Sequence, residues 1–412
     1  MMGEARPVLR GDDRRFIWSI VAAQVLVQIG AFSLPALLPG YIADWTLSKT
    51  EAGALIGIFF AAYVVAVPVL VSLTDTVPTR WVYAVGAGLT AASHLGMAWL
   101  ADGFWSALLL RAMAGIGWAG AYMPGLKAIT DRLDGHAQSR AVSIHAAGVG
   151  VAGASSYAIA GLIGASVSNA AAFLFGGVAA LAALLIAWIV MPKGPPAHAR
   201  GADRRALLDF RPVWRNRPAV AWIAGYTVHT WEMAALRAWG VTFLTTVAAR
   251  SASPGWLPSP PTLLTIAGFA GIAVSIFGNE IAQRIGRMRV VAIAVGASAL
   301  LALGTGWAIG ASMLVASALM IAWLAAIFLD SSALTAGTVQ AADPALRGAT
   351  MGLHSMCGYA GGFIGPFGVG LALDLAGDNP ALGWGLGFGH LAIVTLLGYA
   401  VLTRLASGGA RS

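Results

Sequence analysis

Few residues in this sequence are charged, and several of those few stand inside long apolar runs. The densest group reads His229-Thr-Trp231-Glu232-Met-Ala-Ala-Leu-Arg237-Ala-Trp239. An acid, an imidazole and a guanidinium in so apolar a setting suit proton exchange and anion binding. A carboxylate in a low-dielectric cavity can trade its proton near neutral pH. An arginine offers a planar fork of donors to an anionic group. At 100° per helical residue, His229 and Glu232 lie within about 60° of each other and Arg237 about 80° from His229, so one face is expected to hold all three. Glu232 is read as a proton carrier, with His229 tuning it or sharing the load. A structural Glu–His or Glu–Arg pair would fit the same residues.

Other polar residues are set in similar surroundings. Arg111, Tyr122 and Lys127 share one apolar run, Gln24 and Gln28 another, and Asp330 a third. A charge at a bilayer centre costs about 2.5–3.5 kcal/mol on insertion scales, so such residues usually face a cavity or a partner. Asp330 is a candidate for taking a proton, binding a cationic group, or pairing with Lys127. Arg111 and Arg237 are candidates for an anionic substrate, with Gln24, Gln28, Tyr122, Trp231 and Lys127 beside them. Arg111 and Lys127 also suit anchoring near the headgroups. No catalytic set is present. The phosphate-binding G-x-x-x-x-G-K-[ST] pattern is absent, as is H-E-x-x-H, and the histidines lack metal spacing. Neither a cofactor nor a bound metal is expected.

What must position these groups is a set of membrane helices. The 412 residues are 58% hydrophobic and 10% charged, with a mean hydropathy of +0.77; soluble proteins carry about 25% charged residues. A spanning helix needs roughly 20 mostly apolar residues. Twelve runs qualify, at about 16–39, 51–73, 81–101, 105–129, 140–164, 170–191, 219–247, 262–283, 290–309, 312–338, 348–372 and 383–405. They are numbered here as spans 1 to 12. The first is too long for a signal-peptide core. Residues 192–218 form the one long loop, so 1–191 and 219–412 read as two six-helix bundles joined by a linker.

An even number of spans puts both termini on one side. Of the 25 Lys and Arg, the loops on that side, the linker and the tails hold all but Lys49 and Arg250, which lie opposite, and Arg111 and Arg237, which lie within spans. By the positive-inside rule both termini are cytoplasmic, in a bacterial inner membrane. The same bias accounts for the net charge of +8 without a nucleic-acid partner.

The halves also echo each other. Arg80 and Arg289 are 209 residues apart, Arg140 and Arg347 are 207 apart, and His145 and His354 are again 209 apart. A constant offset is the trace of an internal duplication.

After span 2 the chain reads Val71-Ser-Leu-Thr-Asp75-Thr-Val-Pro78-Thr-Arg80; after span 8 it reads Asn279-Glu-Ile-Ala-Gln283-Arg284-Ile-Gly286-Arg287-Met-Arg289. Both resemble the major facilitator superfamily signature G-x-L-A-D-R-x-G-R-R. Span 4, with Arg111-Ala-Met-Ala-Gly115-Ile-Gly117-Trp-Ala119, resembles the family's R-x-x-Q-G-x-G-x-A element, with Ala114 in place of Gln. The family's drug/proton antiporters usually carry a Gly-Pro element in span 5, and its nitrate porters an arginine in span 2; neither is found here.

The resemblance implies an all-α fold of two pseudo-symmetric six-helix bundles, with spans 1, 4, 7 and 10 lining a central cavity. It also implies a gate braced by Asp75, Arg80, Arg284 and Arg287, to which His145 and His354 are added. The function implied is secondary transport of a small solute by a monomer. Proton coupling and an organic-anion cargo are expected, with Glu232, His229 and Asp330 carrying protons. Efflux of amphipathic drugs and a receptor or scaffold role are the alternatives.

Overall fold

A bilayer offers no water to backbone N–H and C=O groups, so a chain this apolar must satisfy them internally, as helices or as a closed barrel. The computed structural model describes residues 11–194 and 210–408, and these residues form helices joined by short turns. Arg10 and linker residues 195–209 lie outside the described residues.

The first six spans run Gly11–Gln28 with Ser33–Asp44, Lys49–Leu73, Thr79–Trp99, Phe104–Thr130, Gly135–Ser166 and Asn169–Val190. A short helix at Arg211–Arg215 precedes span 7, Arg217–Ala248. Spans 8 and 9 are Pro260–Ile285 and Arg287–Trp307. Span 10 is Met313–Leu329 with Ser331–Ala341, and spans 11 and 12 are Arg347–Leu375 and Pro380–Gly408.

Nine of these spans meet length and hydropathy criteria for crossing a membrane, among the described residues. Spans 3, 4 and 7, at 21, 27 and 32 residues, are long enough. Their composition holds them below the hydropathy criterion, since they carry Arg80, His94, Arg111, Lys127, His229, Glu232 and Arg237. The twelve spans form two six-helix bundles. Large apolar side chains cover the outside: Trp105, Leu162, Ile189, Leu300 and Leu375 are each more than 70% exposed, as a lipid-facing surface requires.

Two spans are interrupted, and at the break in span 1 neighbours stand at the freed backbone. In span 1 the break falls at residues 29–32. The Gly30 carbonyl lies 3.1 Å from His94 Nε2, and the Phe32 N–H donates to Ser156 Oγ at 3.0 Å. In span 10 the break falls at Asp330, whose carbonyl accepts the Leu334 N–H and starts the second segment. Buried breaks of this kind persist only where such partners re-satisfy the backbone.

Lipid tails are as apolar as leucine side chains, so helix pairing in lipid depends on close packing of small residues. Within the first bundle, Gly86 lies directly against the Gly120 backbone. Between the bundles, Gly53 meets span 11 so closely that an added Cβ would lie 3.0 Å from the Pro366 carbonyl carbon.

The contacts between bundles gather on the face remote from the chain termini. Asp374, at the end of span 11, accepts the Lys49 and Thr50 N–H groups at 2.9 and 2.7 Å and the Thr50 hydroxyl at 2.6 Å. A carboxylate of the second bundle thus binds the orphan donors at the N-terminus of span 2, where the helix dipole favours negative charge. Nearer the middle, Thr265 Oγ1 donates to the Ala154 carbonyl at 2.7 Å and accepts the Ala158 N–H at 2.9 Å. Asp374→Ala is expected to loosen this closure. With Cys357→Ser and a cysteine at Phe60, a membrane-impermeant thiol reagent added on the remote side should then react several-fold faster. An unchanged rate would show that the carboxylate takes no part in holding the face shut.

Candidate functional site

Beneath that closure lies a cavity of about 470 Å³ between the bundles. Spans 1, 2, 4 and 5 contribute Phe32, Phe60, Trp118, Tyr122 and the small residues Ala146, Ala147 and Gly150. From the second bundle come Tyr226, Thr230, Met233 and Arg237 of span 7, with Phe328 and Ser331 of span 10 and Tyr359 of span 11. The lining thus includes spans 1, 4, 7 and 10, and adds 2, 5, 8 and 11. No Asp or Glu lines it among the described residues, and Arg237 is its one cation.

Arg237 is held by rings. Its guanidinium carbon lies 5.2 Å from the Phe32 centroid and 5.2 Å from the Phe328 centroid, one ring from each bundle. Its carbonyl accepts the Tyr157 hydroxyl at 2.6 Å. No carboxylate lies within ion-pair distance of its guanidinium among the described residues.

Glu232 and His229 lie on the other side of span 7. Glu232 is 3% exposed and lies inside the second bundle. Its Oε1 accepts from Ser298 Oγ at 2.6 Å and Trp323 Nε1 at 2.7 Å, and its Oε2 from Thr395 Oγ1 at 3.1 Å. One turn away His229 Nδ1 lies 2.8 Å from Asp330 Oδ1, at the break in span 10. All three residues border an interior cavity of about 20 Å³, room for about one water molecule. The expectation that Glu232, His229 and Arg237 share one face is corrected. Five residues separate Glu232 from Arg237, about 140° around the helix, enough to turn one into the bundle and the other to the central cavity.

The pairing of Asp330 with Lys127 is also corrected. Asp330 pairs with His229, whereas Lys127 Nζ lies 3.2 Å from Asp131 and 3.8 Å from Asp75. Span 4 carries Lys127 to its terminus-side end, where its own i+4 carboxylate is the near partner.

The remaining residues are divided between packing and the cavity. Tyr122 lines the central cavity and stacks on His145 at 5.5 Å. Gln24 and Gln28 are buried in the first bundle away from the lining, their amides without hydrogen-bond partners. Arg111 is likewise buried, its guanidinium 5.0 Å from the Phe59 ring. Trp231 turns from the cavity and donates to His390 at 3.3 Å.

Of the gate residues, Arg80 lies over the Trp188 ring at 4.0 Å, on span 6. Arg287 donates to Gln340, joining the start of span 9 to the end of span 10. Arg284 is exposed at the end of span 8. His145 and His354 are buried within their own bundles, His354 stacked on Tyr226 at 3.8 Å and 3.0 Å from Thr338 Oγ1.

The donors around Glu232 come from spans 9, 10 and 12, 66 to 163 residues away in sequence. Ser298→Ala would leave the buried carboxylate short of one donor, at a cost of about 1–3 kcal/mol. That loss should lower the melting midpoint in detergent; an unchanged midpoint would mean that the hydroxyl is dispensable to the carboxylate.

A search of curated protein sequences finds no match. Among solved structures, a point mutant of the nucleoside transporter NupG superposes with a TM-score of 0.77 at 15% identity, covering 95% of this chain and 99% of that one. A bacterial homologue of the human lysosomal transporter Spinster, inward-facing and occupied, gives a TM-score of 0.76 at 17% identity, covering 97% and 98%. At such identities the likeness establishes the fold. By sequence, the model of the Major Facilitator Superfamily matches residues 20–366. This chain, a multi-pass membrane protein with a transporter's architecture and not an enzyme's, belongs to the major facilitator superfamily.

Proposed function

We propose that this chain is a proton-coupled secondary transporter of a small organic anion, working by alternating access. The observation that carries this reading is Arg237, the one cation lining the central cavity, with no carboxylate partner among the described residues. A guanidinium kept in low dielectric without a counter-ion is a site awaiting an anion. The nucleoside in the name of one structural neighbour is neutral and would leave that charge uncompensated. A cationic drug would be repelled by it, which weighs against the drug-efflux alternative.

Proton coupling is supported by the arrangement on the opposite side of the same helices. Span 7 presents Arg237 to the central cavity and His229 and Glu232 to the bundle interior. Span 10 presents Phe328 and Ser331 to the cavity and Asp330 to the interior. With one proton shared between His229 and Asp330 the pair is neutral overall. Losing that proton leaves a net charge inside hydrocarbon, and the conformation that wets the pair is then favoured. An anion at Arg237 and a proton at Asp330 act on opposite faces of one helix break.

The positive-inside bias puts the termini in the cytoplasm, which makes this conformation inward-facing, closed at the outer face by Asp374 and Gly53. Bodies 1–191 and 219–412, joined by linker 192–218, would rock as a monomer.

Two variants test the reading in proteoliposomes. Arg237→Gln removes charge-assisted hydrogen bonds of about 1.5–3 kcal/mol and should weaken anion binding roughly ten- to hundredfold. Asp330→Asn should retain exchange of anion across the membrane while losing accumulation driven by a pH gradient. Accumulation surviving in Asp330→Asn would remove the proton site from the mechanism; anion flux unchanged in Arg237→Gln would remove the anion site.

A further inference from the structure

The central cavity specifies more than charge. Rings approach it from both bundles. Phe32, Phe60 and Trp118 come from the first, and Tyr226, Phe328 and Tyr359 from the second. Some of these rings already pack on one another across the junction between bundles, with Phe60 5.9 Å from Tyr359. Phe32 and Phe328 also flank Arg237, so the guanidinium is fixed among rings and does not sweep the cavity as a free surface arginine would.

The one charged group at this cavity among the described residues is a donor. Arg237 donates no hydrogen bond within the protein among the described residues. Trp118 also lines the cavity, with its indole N–H buried away from it. A half-buried guanidinium left open in this way calls for a ligand or water that supplies acceptors. The hydroxyl of Thr230, by contrast, is already bonded to the Gly358 carbonyl at 2.6 Å. The ligand that fits must bring acceptor atoms to a guanidinium, and a flat apolar body to the ring faces around it.

We propose that the transported anion is aromatic: a planar monoanion whose acid group sits on Arg237 and whose ring stacks among Phe60, Trp118, Phe328 and Tyr359. The assignment rests on the anion-transporter reading above and narrows it. A single unpaired guanidinium compensates one negative charge, so a second would be buried unpaired. Ring–ring contact adds an attraction that a saturated ring of the same size and charge lacks. Because the stacking rings come from both bundles, an aromatic ligand bridges them, and each bundle contributes to affinity in this conformation.

The test uses the purified full chain in detergent, with binding read as protection against thermal unfolding. The probes are benzoate and 2-naphthoate, their saturated-ring counterparts, their neutral amides, and the dianion phthalate. The aromatic monoanions should protect at concentrations roughly tenfold below those of the saturated acids. In Phe328→Leu and, separately, in Phe60→Leu, that ratio should fall towards one while the unliganded melting midpoints confirm folded protein. In Arg237→Gln, acid and amide should become equivalent.

Saturated and aromatic acids protecting equally, with both lost in Arg237→Gln, would overturn the aromatic assignment and leave the anion reading intact. Amides protecting as well as acids in the unmodified chain, or no acid protecting, would overturn both. Phthalate protecting better than benzoate would overturn the single-charge assignment.

Discussion

A charged group placed in hydrocarbon must carry its partners with it or face water, and the charged groups within the spans of the second bundle follow that requirement. Glu232 answers it with three donors drawn from three helices. Asp330 answers it with His229. Arg237 has no carboxylate partner among the described residues and instead faces the central cavity with an aromatic ring on either side. The same rule holds for the backbone. Where span 1 breaks, His94 and Ser156 stand at the freed groups, so a kink that would be costly in isolation is kept.

The consequence is a division of labour within single helices. An α-helix turns 100° per residue, so neighbouring residues can serve different compartments. Span 7 gives one face to the interior of the second bundle and the other to the cavity between bundles. Span 10 does the same across one break, where Phe328 and Asp330 are two residues apart. Any rearrangement that moves the Asp330 break moves the ring against Arg237 as well. Two sites on opposite sides of a shared element can bias one equilibrium, which is the physical content of coupling.

Closure between the bundles has a different basis. Apolar burial drives little association where the solvent is itself apolar, so the interface depends on close backbone approach and a few polar bonds. Gly53 permits the approach and Asp374 supplies the bonds. The Asp374 bonds are exposed, so water can replace them when they break, as an interface that opens and closes in each transport cycle would need.

Composition, the twelve apolar runs, the offset between Arg80 and Arg289 and the loop motifs were enough to read an all-α transporter fold from the sequence. These features are local and periodic, and the thickness of a bilayer imposes the period. Polar residues within spans were also visible as a set, because their cost in lipid makes them conspicuous. Their partners were not. Lys127 and Asp330 looked like a pair until the fold gave each a nearer one, and Asp374, at the end of an apolar run, carried no local sign that it would bind the start of span 2. Membership of a helix and its side of the membrane depend on residues close in sequence. Whether Glu232 faces a bundle interior or a cavity depends on Ser298, Trp323 and Thr395, which only the packing of distant helices brings together.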